Sequence, residues 1–346
     1  MPREVSRQTF LRGAAGALAA GAVFGSGRVG SVRATADPDT SGWDGLSAAI
    51  GGQVLRPEDG SRFTTAKQVF NTNYNSSTPA AVVTATSPAD VQKAMAFAAV
   101  HNLKVAPRGG GHSYVGASTA NGVMVLDLRQ LPGDITYDAA TGSVTAAPAT
   151  TLYALHQALA AAGRGIPTGT CPTVGTAGHA LGGGLGANSR HAGLMCDRLT
   201  SASLVLPGGE AVIASSANHP DLFWALRGGG GGNFGVTTSL TFATFPTGDL
   251  DVVNLNFPPQ SFAQVLLGWQ SWLRTADRNS WALADSTTDA MGTRCRIMAT
   301  APAGSGSSVA GAIISAVGVQ PTGTENHTFD YLSLVRYLAV DNLNPS

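Results

Sequence analysis

Hydrophobic and polar positions along the chain predict short strands that alternate with amphipathic helices. Residues 80–85 form an apolar run whose length suits a buried strand. Ser87 and Pro88 then mark the start of a helix, because serine is a favoured N-cap and proline is favoured at the first helical position. Apolar residues recur at helical spacing over 91–98. A second strand is predicted over 103–107, directly before a glycine-rich segment.

The same signals continue through the first 247 residues. Two hairpins are predicted where Ala-Thr-Gly and Pro-Gly-Gly each separate a pair of strand-like segments. The first hairpin joins 135–137 to 143–147, and the second joins 202–206 to 210–214. A further strand is predicted over 123–128, and helices are predicted over 152–162 and 221–227.

Beyond residue 249 the glycine clusters end, and the pattern predicts a second unit that mixes helices and strands. Strands are predicted over 250–257, 281–285 and 293–301, and helices over 261–273 and 307–317. Another apolar element begins at residue 331, shortly before the sequence ends. The chain as a whole is therefore expected to have an α+β fold with a second, incomplete unit over residues 248–346.

Composition narrows the functional classes. The 346 residues include 21 basic and 21 acidic side chains, so the chain has no net charge and lacks the basic surplus typical of nucleic-acid-binding proteins. Hydrophobic residues make up 43% of the chain, which excludes a wholly disordered protein. None of the three lysines follows a glycine, so the phosphate-binding loop of NTPases is absent. No nucleic-acid partner and no stable membrane insertion are expected.

The N-terminal segment predicts export. Arg3, Arg7 and Arg12 precede an apolar stretch of small residues, and Ala34-Thr35-Ala36 supplies a cleavage site of the small-x-small type. Residues 1–36 are therefore interpreted as a signal peptide of a secreted protein. The segment around Arg7 resembles a twin-arginine export signal, with Gln8 in place of the second arginine. The alternative is that these residues are a tail of a cytosolic protein.

Two glycine clusters are the strongest candidates for a binding site. Residues 108–113 follow a predicted strand, and consecutive glycines allow backbone N–H groups to converge on one anion. The second cluster has six glycines between Gly175 and Gly186. Neither cluster has the Gly-x-Gly-x-x-Gly spacing of a Rossmann dinucleotide site. Both segments predict a place where the backbone approaches a pyrophosphate or a flat ring.

Three motifs together resemble a known family. They read RGGGHSYVG over 108–116, GTCPTVGTAGHALGGGLG over 169–186 and DLFWALRGGGGGNFGVTTS over 221–239. In this order they are similar to the FAD-binding oxidoreductases of the vanillyl-alcohol oxidase superfamily, berberine-bridge-enzyme-like branch. The resemblance implies a PCMH-type FAD-binding domain of two subdomains over 37–247. A substrate domain would follow over 248–346, apparently truncated at its C-terminus.

The resemblance also implies the residues that hold the cofactor. In the family, the histidine that matches His112 bonds to the flavin 8α-methyl carbon, and the cysteine that matches Cys171 bonds to flavin C6. The other implied FAD-binding residues are Arg108, Gly109, Gly110, Gly111, Ser113, Tyr114, Gly116, Val174, Gly175, Gly178, His179, Gly183, Gly184, Gly186, Asn233, Gly235 and Val236. The competing interpretations are a structural role for His112 and an ordinary buried thiol for Cys171.

Other chemistry-bearing residues have simpler interpretations. The thiols and imidazoles of Cys171, His179, His191 and Cys196 do not have the spacing of compact zinc ligands, so no metal site is predicted. Cys196 is expected to pack in the interior, as is Trp224. His156 is expected to be exposed or to have its hydrogen bonds satisfied internally.

By resemblance, the expected function is an FAD-dependent oxidase with bicovalent flavin. A hydroxylated substrate, such as a sugar or a natural product, would transfer hydride to the flavin, and O₂ would accept the electrons and give hydrogen peroxide. The alternatives are a dehydrogenase with another acceptor, a non-catalytic flavin-binding remnant, and a non-covalent NADPH-linked reductase. No catalytic base is assigned, because Tyr331, Tyr337 and Glu325 match no motif of the family.

Overall fold

The computed structural model describes residues 40–290 and 292–343. The predicted signal peptide over 1–36 lies outside these residues and stays a prediction. The described chain mixes helices with four β-sheets, which confirms the α+β fold class. Among its helices, none is both long and apolar enough to cross a bilayer.

The first sheet presents the first glycine cluster. Its strands, in the order β1-β2-β4-β3, are β1 (Gln53–Leu55), β2 (Ala81–Thr84), β3 (Val105–Arg108) and β4 (Met124–Asp127). The last three strands are parallel, and β1 runs antiparallel to β2. Helices α1 (Thr40–Ala49), α2 (Ser61–Ala66) and α3 (Pro88–Val100) accompany the sheet. The Ser87 hydroxyl accepts a hydrogen bond from the Asp90 amide, so the predicted N-cap of α3 is confirmed.

The second sheet is antiparallel, in the order β5-β6-β10-β8-β9. The strands of this region are β5 (Thr136–Asp138), β6 (Ser143–Ala146), β7 (Arg164–Gly165), β8 (Leu199–Val205), β9 (Ala211–Ser215), β10 (Val236–Ala243) and β11 (Phe245–Pro246). Both predicted hairpins are confirmed, since β5 pairs with β6 and β8 pairs with β9. The short strands β7 and β11 form a separate pair.

Four helices belong to the region of the second sheet. They are α4 (Leu152–Ala160), α5 (Thr176–Leu181), α6 (Ser189–Ala192) and α7 (Pro220–Leu226). Leu152, Leu155 and Leu159 recur on one face of α4 and are buried in a core shared with Leu204 and Phe242 of the sheet. Burial of these side chains holds α4 and α5 close to the sheet.

The third sheet has the order β13-β14-β12-β15 and is antiparallel throughout. Its strands are β12 (Leu250–Phe257), β13 (Trp281–Asp289), β14 (Gly292–Pro302) and β15 (Gly323–Phe329), and its helices are α8 (Phe262–Thr275), α9 (Gly306–Val317) and α10 (Tyr331–Leu343). Val265 of α8 and Ile313 of α9 share a core with Val253 of the sheet. Leu334 of α10 packs with Val252, which alternates to the other face of β12. Helix α10 therefore lies on the face opposite to α8 and α9.

The position of Trp224 and the strand β15 differ from the sequence expectations. The prediction that Trp224 is a core residue is wrong, because 79% of its surface is exposed. Helix α7 buries Phe223 and Leu226, three positions apart, and Trp224 falls on the solvent side. The sequence pattern also missed β15, an edge strand whose residues are almost all exposed and polar. Cys196 is buried, as expected.

Candidate functional site

A cleft of about 800 Å³ brings the three glycine-rich motifs together. Its wall is formed by residues from 109–118, 169–185 and 230–237, which lie far apart in the sequence. The predicted cofactor residues that line it are Gly109, Gly110, Gly111, His112, Ser113, Tyr114, Cys171, Val174, Gly175, Gly178, His179 and Gly235. The cleft has the size of a small-molecule or cofactor site.

Arg108 lies outside the cleft wall, at the end of β3, and supports the first glycine loop from the protein interior. Its guanidinium is 1% exposed, donates to the Asp127 carboxylate at 2.8 Å and donates to the Ala66 carbonyl at 2.6 Å. Strand pairing explains this contact, because Arg108 of β3 is the register partner of Asp127 of β4. The buried ion pair therefore fixes the point where the chain leaves β3.

Asp127 accepts hydrogen bonds from two arginines. Burial alone would raise the pKa of this carboxyl, but the hydrogen bonds and positive charges of Arg129 and Arg108 outweigh burial and hold the pKa below its ordinary value. The carboxylate is therefore charged at neutral pH and balances the buried Arg108 guanidinium.

The first two glycine loops touch through their backbones. A Cβ atom added to Gly110 would overlap the backbone nitrogen of Gly175 and lie 3.0 Å from its Cα atom. A Cβ atom added to Gly175 would likewise overlap the backbone nitrogen of Gly110, so glycine is required at both positions. Among the described residues, no partner accepts a hydrogen bond from the amides of Gly110, Gly111 or His112. The unpaired amides suit the phosphates of a bound dinucleotide, and the absence of side chains at the glycines leaves space for its flat ring.

The Gly110→Ala variant is expected to lower the free energy of unfolding by about 1–3 kcal/mol, the usual effect of overpacking. The atoms in the way are backbone atoms of Gly175, so no change of side-chain rotamer can relieve the overlap. Gly311→Ala, on the open face of α9, is the control, because nothing lies within 4 Å of an added Cβ there. Urea denaturation of both variants measures the difference. Equal stability of the two variants would contradict the close loop contact.

His112 stands on the wall of the cleft with its ring held on two sides. The ring stacks on Phe70 with centroids 4.1 Å apart, and Nε2 lies 3.1 Å from the hydroxyl oxygen of Thr173. Burial lowers the pKa of His112 below its ordinary value, so the neutral imidazole predominates at neutral pH. Since Nε2 is engaged, Nδ1 is the ring nitrogen left for a bond to a ligand.

Cys171 shares a hydrogen-bonding partner with His112. Its Sγ atom lies 3.8 Å from the Thr173 hydroxyl oxygen, the same atom that contacts the His112 ring. Cys171 is partly buried and is free of any disulfide, as are the buried Cys196 and Cys295. One threonine thus sets two possible nucleophiles side by side. The sequence reasoning missed Thr173, although it sits two residues after Cys171 in the second motif.

His179 reaches the cleft from α5 and holds the loop that precedes Cys171. The Gly169 amide donates a hydrogen bond to His179 Nε2 at 2.8 Å. Burial lowers the pKa of His179, which favours the neutral ring that accepts this bond.

Several predicted cofactor residues shape the loops without lining the cleft. They are Arg108, Gly116, Gly183, Gly184, Gly186, Asn233 and Val236. Gly116 packs under the Tyr74 ring, and Gly186 packs against the Thr168 carbonyl, with no space for a Cβ at either position. The Asn233 amide group donates to the Gly229 carbonyl at 2.8 Å, and Val236 is buried where β10 begins.

The structure offers no metal-binding cluster within residues 40–290 and 292–343. The ring of His191, one of the four residues considered as metal ligands, packs edge-on against Phe245.

Comparisons with known proteins place the cleft in a family. Residues 79–215 match a family model described as an FAD binding domain. The chain is 38% identical over 203 residues to xylooligosaccharide oxidase of Thermothelomyces thermophilus, covering 57% of this chain and 40% of the relative. It is 35% identical over 202 residues to berberine bridge enzyme-like 2 of Arabidopsis thaliana, covering 56% and 37%. The chain carries an FAD-binding domain, and a berberine-bridge-enzyme-like protein is among its relatives. The chain thus matches less than half the length of these relatives.

Solved structures of similar proteins superpose over most of the chain. The berberine-bridge-enzyme-like protein 1 of Physcomitrella patens has a TM-score of 0.78 and 28% identity, covering 86% of this chain and 64% of that one. Xylooligosaccharide oxidase from Myceliophthora thermophila C1, in complex with xylobiose, has a TM-score of 0.73 and 29% identity, covering 86% and 63%. The alignment therefore extends well beyond residues 79–215.

Proposed function

We propose that this chain forms the flavin-binding part of an FAD-dependent oxidase that acts on a hydroxylated small molecule, with an oligosaccharide as the first candidate. The observation that carries the proposal is the placement of His112 and Cys171 beside one hydroxyl group on the wall of a glycine-lined cleft. The xylooligosaccharide oxidase among the relatives supports the choice of substrate class.

Each part of the cleft has a separate task in this proposal. The free amides of Gly110, Gly111 and His112 bind the pyrophosphate. His112, through Nδ1, and Cys171, through Sγ, would hold the flavin covalently. Each of the two bonds would replace one hydrogen of the residue and one of the flavin, and each would release two electrons to dioxygen. Bound flavin supplies hydride acceptance, and the protein positions the ring and the substrate.

The described tyrosines beyond residue 248 are poor candidates for the base that takes the substrate proton. Tyr331 is buried, and burial raises the pKa of its hydroxyl above the ordinary value. The Tyr337 hydroxyl accepts a hydrogen bond from Asn254 at 2.8 Å. Glu325 lies on the exposed strand β15. We therefore assign none of these three residues as the catalytic base.

Acid precipitation of the purified chain tests the covalent attachment. We expect flavin absorbance in the wild-type pellet, with a mass increase of one FAD. His112→Ala and Cys171→Ala are each expected to retain flavin through the remaining bond, whereas the double variant releases it. His327→Ala, on an exposed strand, is the matched control. Flavin found only in the wild-type supernatant would contradict covalent attachment, and protein without flavin would contradict the cofactor.

Electron transfer is tested on the flavin-loaded protein with xylobiose and longer oligosaccharides. Reduction of the flavin by sugar, followed by peroxide release in air, is the expected result. Reduction that is reversed only by an artificial acceptor would show a dehydrogenase. No reduction by any sugar would contradict the substrate class.

We also propose that the protein acts outside the cell and is exported by the twin-arginine route. The arginine-rich, cleavable segment over residues 1–36 supports this. Fractionation of cells that express the full chain tests the proposal, and protein retained in the cytoplasm would contradict it.

A further inference from the structure

A line of hydrogen bonds runs through the interior from α10 to the cleft. The Tyr331 hydroxyl lies 2.9 Å from His156 Nδ1, and His156 Nε2 lies 2.7 Å from the Thr168 hydroxyl. The Thr168 hydroxyl donates to the Gly169 carbonyl at 2.9 Å, and the Gly169 amide donates to His179 Nε2 at 2.8 Å. Tyr331, His156 and Thr168 are 5%, 4% and 6% exposed, so no solvent competes for these bonds.

The His156 ring bridges the two hydroxyl groups, with Nδ1 bonded to Tyr331 and Nε2 bonded to Thr168. A neutral imidazole has one donor and one acceptor nitrogen, so the ring donates one of these bonds and accepts the other. Burial lowers the pKa of His156 to about 4 and raises the pKa of Tyr331, so both side chains are neutral at physiological pH. Hydrogen bonds that are linked in series strengthen one another.

This line of bonds holds the backbone segment of residues 166–169, which leads to Cys171. The Tyr331 hydroxyl contacts both the amide nitrogen and the carbonyl oxygen of Ile166 at 3.3 Å. Thr168 and Gly169 are held as described, and Cys171 lies two residues further on. The Gly169 amide nitrogen belongs to the peptide group shared with Thr168, whereas the Gly169 carbonyl belongs to the next peptide group. The hydrogen bonds are therefore not continuous through Gly169. The line does not conduct protons, and its role is to hold the backbone in place.

We propose that Tyr331 and His156 are positioning residues for Cys171. They fix residues 166–171 between α10, α4 and α5, and thereby place the Cys171 thiol against the flavin ring. This inference rests on the proposed flavin site. It adds that α10, a helix beyond residue 248, determines the geometry of a residue on the wall of the flavin cleft.

Helix α10 supplies a matched control for this proposal. Tyr331→Phe and Tyr337→Phe each remove one hydroxyl from the same helix and keep the ring. The Tyr337 hydroxyl accepts its hydrogen bond from Asn254 of β12, which lies outside residues 166–171. Thr168→Val provides a second test variant, because valine preserves the shape of threonine and removes its hydroxyl.

Hydrogen–deuterium exchange on the full chain is the first measurement. Tyr331→Phe and Thr168→Val are expected to speed exchange of the amides over 166–171 about fivefold, the factor that one lost neutral hydrogen bond produces. Tyr337→Phe is expected to leave these amides at the wild-type rate. Unchanged exchange in Tyr331→Phe, or an equal effect of Tyr337→Phe, would overturn the proposal.

Peptide mass analysis is the second measurement. In Tyr331→Phe, the fraction of chains with flavin on Cys171 is expected to fall at least threefold, while the bond at His112 remains. A fall that is equal at both residues would indicate general loss of flavin and would overturn the positioning role. Wild-type protein without flavin on Cys171 would contradict the proposed function instead, and exchange over 166–171 would then decide whether Tyr331 positions this segment.

Discussion

Replacement of Asp127 by alanine is expected to lower the free energy of unfolding by about 3–5 kcal/mol, the cost of leaving a buried charge without its partner. Arg108 is 1% exposed, and its only carboxylate partner among the described residues is Asp127, at 2.8 Å. The carbonyls of Ala66 and Gln68 would remain as partners, but they carry no charge. Because Arg108 directly precedes Gly109, the first glycine loop is expected to be displaced as well, with loss of bound flavin.

Arg129→Ala is the control for this prediction. Arg129 binds the same carboxylate at 2.6 Å, but its side chain is 51% exposed, and water can replace it. Its loss is expected to cost about 1 kcal/mol or less, as for other exposed ion pairs. Guanidinium denaturation of both variants at pH 7 gives the comparison. If the two losses were equal, burial of Arg108 would not govern the stability of this pair.

The second large effect is expected on acidification. In the folded chain the pKa of His156 is about 4, because the ring is buried and because His179 lies nearby, whereas an unfolded histidine titrates near pH 6.5. Between pH 4 and pH 6.5, His156 binds a proton in the unfolded chain but not in the folded chain. Stability is therefore complete above pH 6.5 and falls as the pH is lowered towards 4, by about 3 kcal/mol in total.

His156→Gln separates this effect from the titration of other groups. Glutamine does not titrate, so the variant is expected to lose about 3 kcal/mol less than wild type between pH 7 and pH 4. His327→Gln, on an exposed strand, is expected to keep the wild-type dependence. Urea denaturation at the two pH values measures each slope. A wild-type slope in His156→Gln would show that His156 does not titrate below its ordinary pKa in the folded chain.

Local signals in the sequence predicted much of the secondary structure. Strand β2, helix α3 with its Ser87 cap and both hairpins are specified by residues that are neighbours in the chain, through apolar runs, capping and turn chemistry. The sequence pattern missed β15, because a polar strand exists only through its pairing with β12. Helix α5 was interpreted as a glycine loop for a related reason, since its buried face is defined by a distant core.

For the candidate site, the sequence by itself identified the motifs that line the cleft, because the order of His112, Cys171 and the glycines is a property of the chain alone. The tertiary structure decided where each side chain points. It turned Arg108 away from the cleft to Asp127, placed Thr173 between His112 and Cys171, and joined His156 to Tyr331. The Arg108–Asp127 pair depends on strand register and the His156–Tyr331 bond depends on helix packing, and burial strengthens both because water is excluded.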